Sequence, residues 1–224
     1  MAATPTTGER SVKPAHRRLS ARVVLIALTV LLIAAMALDT TWKSGTVKVT
    51  AGGREAFNAA KYGRDAFPKV DAAITKAAVP LPTLLAALRK NQDAASKQYG
   101  HREGSSPPAF ATSAEGIAGK TENGLMEVRV PGVPKTARVS VQVGPALNGT
   151  ALRDGVGTIH FGQFVNQVDY ASAATALNNE VKARVLKGFD AQAARGKAVK
   201  VVGVFTLLTP SVVTITPVSL EASP

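Results

Sequence analysis

The chain has 224 residues, no cysteine and a formal net charge of +12. The lack of cysteine excludes a disulfide framework, a thiolate nucleophile and a cysteine-based metal site. The length allows one domain, or a small helical subdomain packed on a larger one, that is stabilised by its own hydrophobic core.

The first 42 residues predict a transmembrane signal-anchor. Residues 1–22 mix basic residues with Pro, Gly, Ser and Thr, which is typical of a disordered arm. Residues 23–38 carry no charge and would cover about 24 Å as a helix, slightly short of a hydrocarbon core of about 30 Å. Because Trp42 suits the far interface, we assign the span to residues 23–42. The arginines before the apolar run predict that the arm is cytoplasmic and that the rest of the chain lies outside.

A cleaved signal peptide is the alternative for this segment. Ala35-Met36-Ala37 has the small-x-small pattern that signal peptidase accepts, so cleavage would follow Ala37. The remaining chain is exported in both cases. A lipid anchor is not expected, because the chain has no cysteine to acylate.

Residues 43–100 predict a small helical subdomain. Thr46–Val49 resembles a short strand, and helical spacing of apolar residues begins at Arg54. Pro68 is expected to begin a second helical stretch. Pro82 suits the first turn of a further helix that continues to Tyr99 and includes Leu81, Leu84, Leu85, Leu88 and Ala95. Residues 101–109 (HREGSSPPA) are interpreted as a surface linker.

Residues 110–224 predict an OB-like β-barrel with one inserted helix, which makes the whole chain α+β. The turn signal Glu122-Asn123-Gly124 joins the first two strands, and Asp169 is a candidate N-cap for the inserted helix, which extends to about residue 187. This order of strands and helix is typical of the OB type. The expected strands are Phe110–Lys120, Leu125–Val130, Ala137–Val143, Thr158–Phe161, Lys197–Leu208 and Val212–Val218.

One long motif carries a family resemblance. It consists of Gly144–Asp154 (GPALNGTALRD), Ile159–Phe161, Phe164–Gln167 and Ala176–Asn178. The chain resembles the bacterial domain-of-unknown-function 2291 family, described as predicted periplasmic lipoproteins, over about residues 45–221. The resemblance implies an extracytoplasmic protein with an OB-like barrel, and many relatives are encoded beside sugar ABC transporters of the ribose type. No activity is established for the family, and this chain lacks the lipobox cysteine of a lipoprotein, which leaves the apolar segment as anchor.

The polar residues of the motif form the candidate site. If they converge, they make either a structural hydrogen-bond network or a sugar-sized recognition surface, with Phe161 and Tyr170 as further aromatic candidates. Loops across a barrel mouth need such side chains to satisfy backbone groups, and carbohydrate sites use the same residue types. The candidates are Arg153, Asp154, Asn166, Gln167, Thr150 and Phe164. We expect Arg153 and Asp154 to pair with partners from the Asn166-Gln167 segment.

The rest of the sequence argues against catalysis. His16, His101 and His160 are too dispersed for a metal site, and neither a GxSxG elbow nor a cofactor-binding loop is present. Nucleic acid is not expected as a partner, because the basic residues are scattered. We therefore expect no catalytic residue, metal or cofactor. The expected function is a non-enzymatic, membrane-tethered accessory protein that assists a sugar ABC importer. The alternatives are a stand-alone carbohydrate-binding module and a cell-envelope scaffold without a small-molecule ligand.

Overall fold

A computed structural model of the chain describes residues 25–32, 56–209 and 211–223. Residues 25–32 are helical and are called α1. The predicted arm (residues 1–22), the remainder of the predicted span and the expected strand Thr46–Val49 lie outside the described residues. Every helix in the described ranges is too short or too polar to cross a membrane. Residues 57–224 form one compact unit, which contains all the elements that follow.

Helix α2 (Ala59–Ala77) is continuous, and so the predicted start of a second helix at Pro68 is wrong. A proline in a helix cannot donate a hydrogen bond to the carbonyl four residues earlier, here that of Arg64. The structure supplies another donor, because Arg184 Nη2 lies 3.4 Å from the Arg64 carbonyl oxygen. The side chain of Asn58 caps the start of α2 by accepting a hydrogen bond from the Lys61 amide at 2.9 Å.

Two shorter helices follow where one was expected. Helix α3 (Leu81–Lys90) has Pro82 in its first turn, as predicted, and buries its four leucines. Asn91 is extended and ends α3. Its side chain then accepts a hydrogen bond from the Ala94 amide at 2.9 Å and so caps helix α4 (Gln92–Tyr99). Asparagine is a preferred N-cap residue, which explains the break at this position.

Five strands pair in a ring: β3 (Ala109–Glu122), β4 (Leu125–Arg129), β5 (Arg138–Gln142), β6 (Ala198–Thr206) and β7 (Val212–Ala222). The pairs β3–β4, β4–β5, β6–β7 and β3–β6 are antiparallel, whereas β5–β7 is parallel. Each of these strands therefore pairs with two others, which is how small barrels avoid free strand edges. The mixed α and β composition predicted from the sequence is confirmed. Two further strands of two residues each, β1 (Val79–Pro80) and β2 (Gly100–His101), pair with β3.

The turn between β3 and β4 is the one that the sequence predicts. Asn123 and Gly124 have φ angles of 52° and 77°, as the favoured two-residue hairpin turn requires. A Cβ atom on Gly144 would lie only 2.4 Å from the Gly124 Cα atom. The first glycine of the motif is thus required by close packing against this turn.

The connection between β5 and β6 carries helix α5 (Ala151–Asp154), a 3₁₀ turn (Phe161–Gln163) and helix α6 (Gln167–Arg184). The strand expected at Thr158–Phe161 is wrong, because the five strands of the ring already pair on both sides. Helix α6 also begins earlier than predicted. Asn166 is its N-cap and accepts a hydrogen bond from the Asp169 amide at 2.9 Å, so Asp169 lies in the first turn.

The hydrophobic core has two clusters that share β3. One contains Phe110, whose ring stacks on Phe205 with 5.5 Å between the ring centres. The other contains Ala109 and Ala111, next to Phe110 on the opposite face of the strand. Side chains of α2, α5 and α6 complete this second cluster and thereby pack against the strands, through Phe67, Val70, Ile74, Leu152, Leu177 and Val181.

Candidate functional site around Arg153 and Tyr170

Helix α5 places the central charges of the motif inside the protein. Ala151 and Leu152 belong to the hydrophobic cluster beneath α2 and α6 and hold the short helix against it. Arg153 and Asp154 follow directly, with side chains only 9% and 7% exposed. Two opposite charges are therefore buried side by side, and they stabilise the fold only if both are fully paired.

Arg153 forms three contacts. Its Nε atom donates a hydrogen bond to Asp154 Oδ1 at 2.7 Å, and its Nη1 atom donates to the Tyr170 carbonyl at 3.1 Å. The guanidinium carbon lies 3.5 Å from the centre of the Tyr170 ring, which is a cation–π contact. Arg153 therefore ties α5 to the first turn of α6.

The remaining polar bonds of the motif are also internal. Thr150 Oγ1 donates to Asp154 Oδ2 at 2.6 Å, so both carboxylate oxygens of Asp154 accept a hydrogen bond. The buried Asn178 donates from Nδ2 to the Gly149 carbonyl at 3.0 Å. Asn178 is the last residue of the motif, and its position explains why an amide is needed there: it satisfies the backbone of the first motif segment.

Asn166 and Gln167 are not the partners of Arg153 and Asp154, so the expected pairing is wrong. Asn166 caps α6 and bonds to Asp169 through both its amide atoms, at 2.9 and 3.1 Å. Gln167 is exposed in the first turn of α6. Arg153 instead uses the carbonyl of Tyr170, and no sequence pattern marks a backbone carbonyl as the acceptor.

Phe164 lies at the centre of an aromatic cluster formed by Phe57, Tyr62, Phe161, Phe164 and Tyr170. Its ring centre is 5.2 Å from that of Tyr170, 5.5 Å from that of Tyr62 and 5.6 Å from that of Phe57. Phe161 adds a contact of 5.7 Å with Tyr170. Phe164 is thus packed on several sides and is not an open platform on which a sugar ring can stack.

The electrostatics around this cluster are shaped by burial, by Arg153 and by hydrogen bonds to Glu103. Burial raises the pKa of the Tyr170 hydroxyl, while the nearby Arg153 acts in the opposite direction. The Tyr170 oxygen is buried and has no hydrogen-bond partner among the described residues. On the outer side, Glu103 accepts hydrogen bonds from His160 Nδ1 at 2.8 Å and the Phe161 amide at 3.2 Å. The His160 bond first, and then the Phe161 amide, hold the pKa of Glu103 below its ordinary value.

A pocket of about 530 Å³, lined by both polar and apolar residues, adjoins Asp154. Gln142 in this pocket donates to Thr216 Oγ1 at 2.8 Å and to the Asn148 carbonyl at 3.1 Å, and accepts from the Asn148 amide at 2.9 Å. Gln142 and Thr216 were not among the residues predicted from the sequence, although Thr214 and Thr216 lie two positions apart on β7 and so indicate a polar face of that strand. The lining includes Gln142, Asn148, Thr150, Asp154, Thr206 and Thr216.

The pocket offers hydroxyl, amide and carboxylate groups, which suit a neutral ligand rich in hydroxyl groups. In the described ranges, His, Asp and Glu side chains do not gather in any group of three that would hold a metal ion.

Comparison with known proteins gives the family and the fold. A crystal structure of an OB-fold protein from Thermotoga maritima is similar over 75% of this chain and 100% of that chain, with a TM-score of 0.64 and 21% sequence identity. A search of curated proteins finds no significant match. A family model described as predicted periplasmic lipoprotein (DUF2291) matches residues 26–221, which confirms the resemblance seen in the sequence. The chain belongs to this family of predicted periplasmic lipoproteins.

Proposed function

We propose that this chain is a non-enzymatic accessory protein, anchored in the cytoplasmic membrane by residues 23–42, that assists a sugar ABC importer from the outer side. The family description supports an extracytoplasmic place at the membrane. Because the chain has no cysteine, the uncharged run of residues 23–38 takes the place of a lipid anchor. The resemblance to relatives encoded beside ribose-type importers supports the choice of partner.

The pocket beside Asp154 is the observation that supports a sugar as the ligand. Its volume of about 530 Å³ falls within the range of roughly 300–1,000 Å³ that small-molecule sites occupy. Gln142, Thr216 and Asp154 are buried and held by the bonds described above, so their positions are set before a ligand arrives. A preorganised site loses less entropy on binding, which favours recognition of a small polyhydroxylated molecule.

The proposed membrane anchor allows the protein to bind the importer through weak contacts. A domain held at the membrane meets an importer or its solute-binding protein at a high effective concentration, so high intrinsic affinity is not needed. The compact unit of residues 57–224 would supply the contact surface. This arrangement needs no chemistry from the chain itself.

Sugar uptake in a deletion strain tests the proposed role. Deletion should lower the uptake of ribose or a related sugar, and the full-length chain should restore it. A C-terminal affinity tag on the complementing chain should also recover the permease or the solute-binding protein. Normal sugar uptake, together with an affinity purification that does not recover the importer, would contradict the proposal.

A thermal-shift screen of sugars separates the two alternative functions. A sugar at 100 times its dissociation constant stabilises the protein by about 2.7 kcal/mol. Thr206→Val, which removes a hydroxyl from the pocket, should abolish the shift, whereas Thr175→Val on the exposed face of α6 should keep it. A sugar that stabilises the protein while uptake is normal would favour the stand-alone carbohydrate-binding module. No shift with any sugar, together with normal uptake, would favour the scaffold.

A further inference from the structure

Three apolar side chains within eight residues of the sequence are exposed just before and at the start of α6. Phe161, Val165 and Val168 are 41%, 58% and 72% exposed, and we call them the apolar patch. The segment that carries them, residues 161–168 (FGQFVNQV), contains no charged residue. Exposed apolar groups of this kind, gathered in an uncharged segment, mark a surface that another apolar phase covers.

The patch is held in its exposed position by polar bonds on both flanks. Gln163 bonds to the His160 amide and to the Thr158 carbonyl, at 3.2 and 3.0 Å. Glu103 accepts from the Phe161 amide, and Asn166 caps α6. These bonds fix the backbone so that the patch stays presented to its surroundings and does not fold back into the core.

The patch is also linked by aromatic contacts to the first residue of the compact unit. Phe57 is the first residue of the compact unit, and its ring packs against Phe164 at 5.6 Å. Phe164 in turn neighbours Val165 in the chain, and Phe161 packs against Tyr170 in the same aromatic cluster. The exposed apolar groups are therefore close in the structure to the residue at which the compact unit begins.

We propose that Phe161, Val165 and Val168 rest in the interfacial layer of the membrane that anchors the chain, so that the unit has two attachments and a fixed orientation. Because the segment itself carries no charge, its valine and phenylalanine side chains gain from burial in this layer. The proposal rests on the proposed function, because it requires the anchor at residues 23–42. A fixed orientation would turn the same face of the unit toward an importer at all times.

Spin labelling tests this proposal directly, because a chain without cysteine takes one label at each introduced cysteine. The full-length chain is reconstituted in vesicles of phosphatidylethanolamine and phosphatidylglycerol. Labels are placed at Val165→Cys and Val168→Cys in the patch, at Leu28→Cys in the apolar run, and at Val212→Cys on β7 as an exposed apolar control. The measured quantity is the ratio of collision rates with oxygen and with a water-soluble nickel complex.

We expect the ratio at positions 165 and 168 to exceed that at position 212 several-fold, and that at position 28 to be the highest. If the label at 28 is in the bilayer while those at 165 and 168 match 212, the membrane contact is refuted and the anchor stands. If the label at 28 is in water, the proposed anchor itself fails. Dipolar coupling between labels at position 168 on two molecules would show that a second copy covers the patch, and this would also overturn the proposal.

Discussion

Arg153 is held by a carboxylate, a backbone carbonyl and an aromatic ring at once. Replacing it with alanine would leave the Asp154 carboxylate buried without its charge partner, which typically costs 3–5 kcal/mol. We expect Arg153→Ala to lower the free energy of unfolding by about that amount, as measured in urea. Arg153→Lys keeps the charge but not the planar contact with Tyr170, so its loss should be intermediate.

The control for this prediction is Lys187→Ala, which removes an exposed basic side chain beyond α6. It should change stability by less than about 0.5 kcal/mol. An Arg153→Ala protein as stable as this control, but unable to bind its sugar, would show that Arg153 serves the ligand and not the fold.

Glu103 gives a prediction for acid stability. Because the pKa of Glu103 is lowered from 4.5 in the folded chain, mainly by His160, the ionised form favours folding. This contribution is present above pH 4.5 and is lost as the pH falls through the lowered pKa. We expect Glu103→Gln to reduce the fall in melting temperature between neutral and acid pH. Glu221→Gln, at an exposed position of β7, is the control, and equal acid profiles for both variants would refute this role of Glu103.

At the residue scale, the sequence marked Arg153 and Asp154 as candidate polar residues but did not predict their partners. They stand out because two charges adjoin a segment of glycine and apolar residues. The acceptor of Arg153 is a carbonyl on α6, and all residues have one, so residue type carries no signal for it. Gln142 and Thr216 meet across β5 and β7, 74 positions apart, which only the strand pairing reveals.

At the scale of elements, helix α2 tests how a proline is tolerated. Proline in a helix interior lowers the free energy of unfolding by about 3 kcal/mol relative to alanine. Because proline also restricts the unfolded chain, it raises that free energy by about 0.4–1 kcal/mol. Since Arg184 partly replaces the lost bond to the Arg64 carbonyl, we expect Pro68→Ala to raise the free energy of unfolding by about 1–2 kcal/mol. Lys69→Ala, also exposed on α2, is the control in the same urea titration. A less stable Pro68→Ala protein would contradict this interpretation.

Packing of α2 against α6 predicts that replacing Gly63 with alanine destabilises the protein, whereas Pro68→Ala should stabilise it. Alanine favours a helix by about 0.8–1.0 kcal/mol over glycine. A Cβ atom on Gly63, however, would lie 2.9 Å from the Ala176 carbonyl oxygen on α6, a backbone atom that cannot move without the helix. We expect Gly63→Ala to lower the melting temperature, whereas Gly162→Ala, which meets no neighbouring atom, should leave it nearly unchanged. A stabilised Gly63→Ala protein would show that the two helices separate easily.

The elements that are specified by neighbouring residues were predicted well. The elements that were predicted wrongly depend on groups far away in the sequence. The strands of the ring follow from alternating valines and from turn residues such as Asn123 and Gly124, which act over a few positions. The continuity of α2 through Pro68 depends on Arg184, 120 positions away. The absence of a strand at Thr158–Phe161 depends on the pairing of the whole ring, which no short window contains.

At the scale of the whole molecule, a ring of five strands packs α3 and α4 in one core cluster and α2, α5 and α6 in the other. The family was accessible from the sequence because the motif is long and specific. The function is less accessible, because Thr150 and Asp154 of the motif bond to each other. The rest of the polar lining of the pocket comes from threonines and amides that are far apart in the chain, such as Gln142 and Thr216.

The side of the membrane on which residues 57–224 lie is the most direct test of the proposed role. Cells expressing the chain with an N-terminal and a C-terminal epitope are converted to spheroplasts and treated with protease from outside. We predict that the C-terminal epitope is digested while a short N-terminal fragment stays protected and remains with the membrane fraction. Protection of the C-terminal epitope in intact spheroplasts, with digestion only after lysis, would contradict an accessory protein that acts from the outer face.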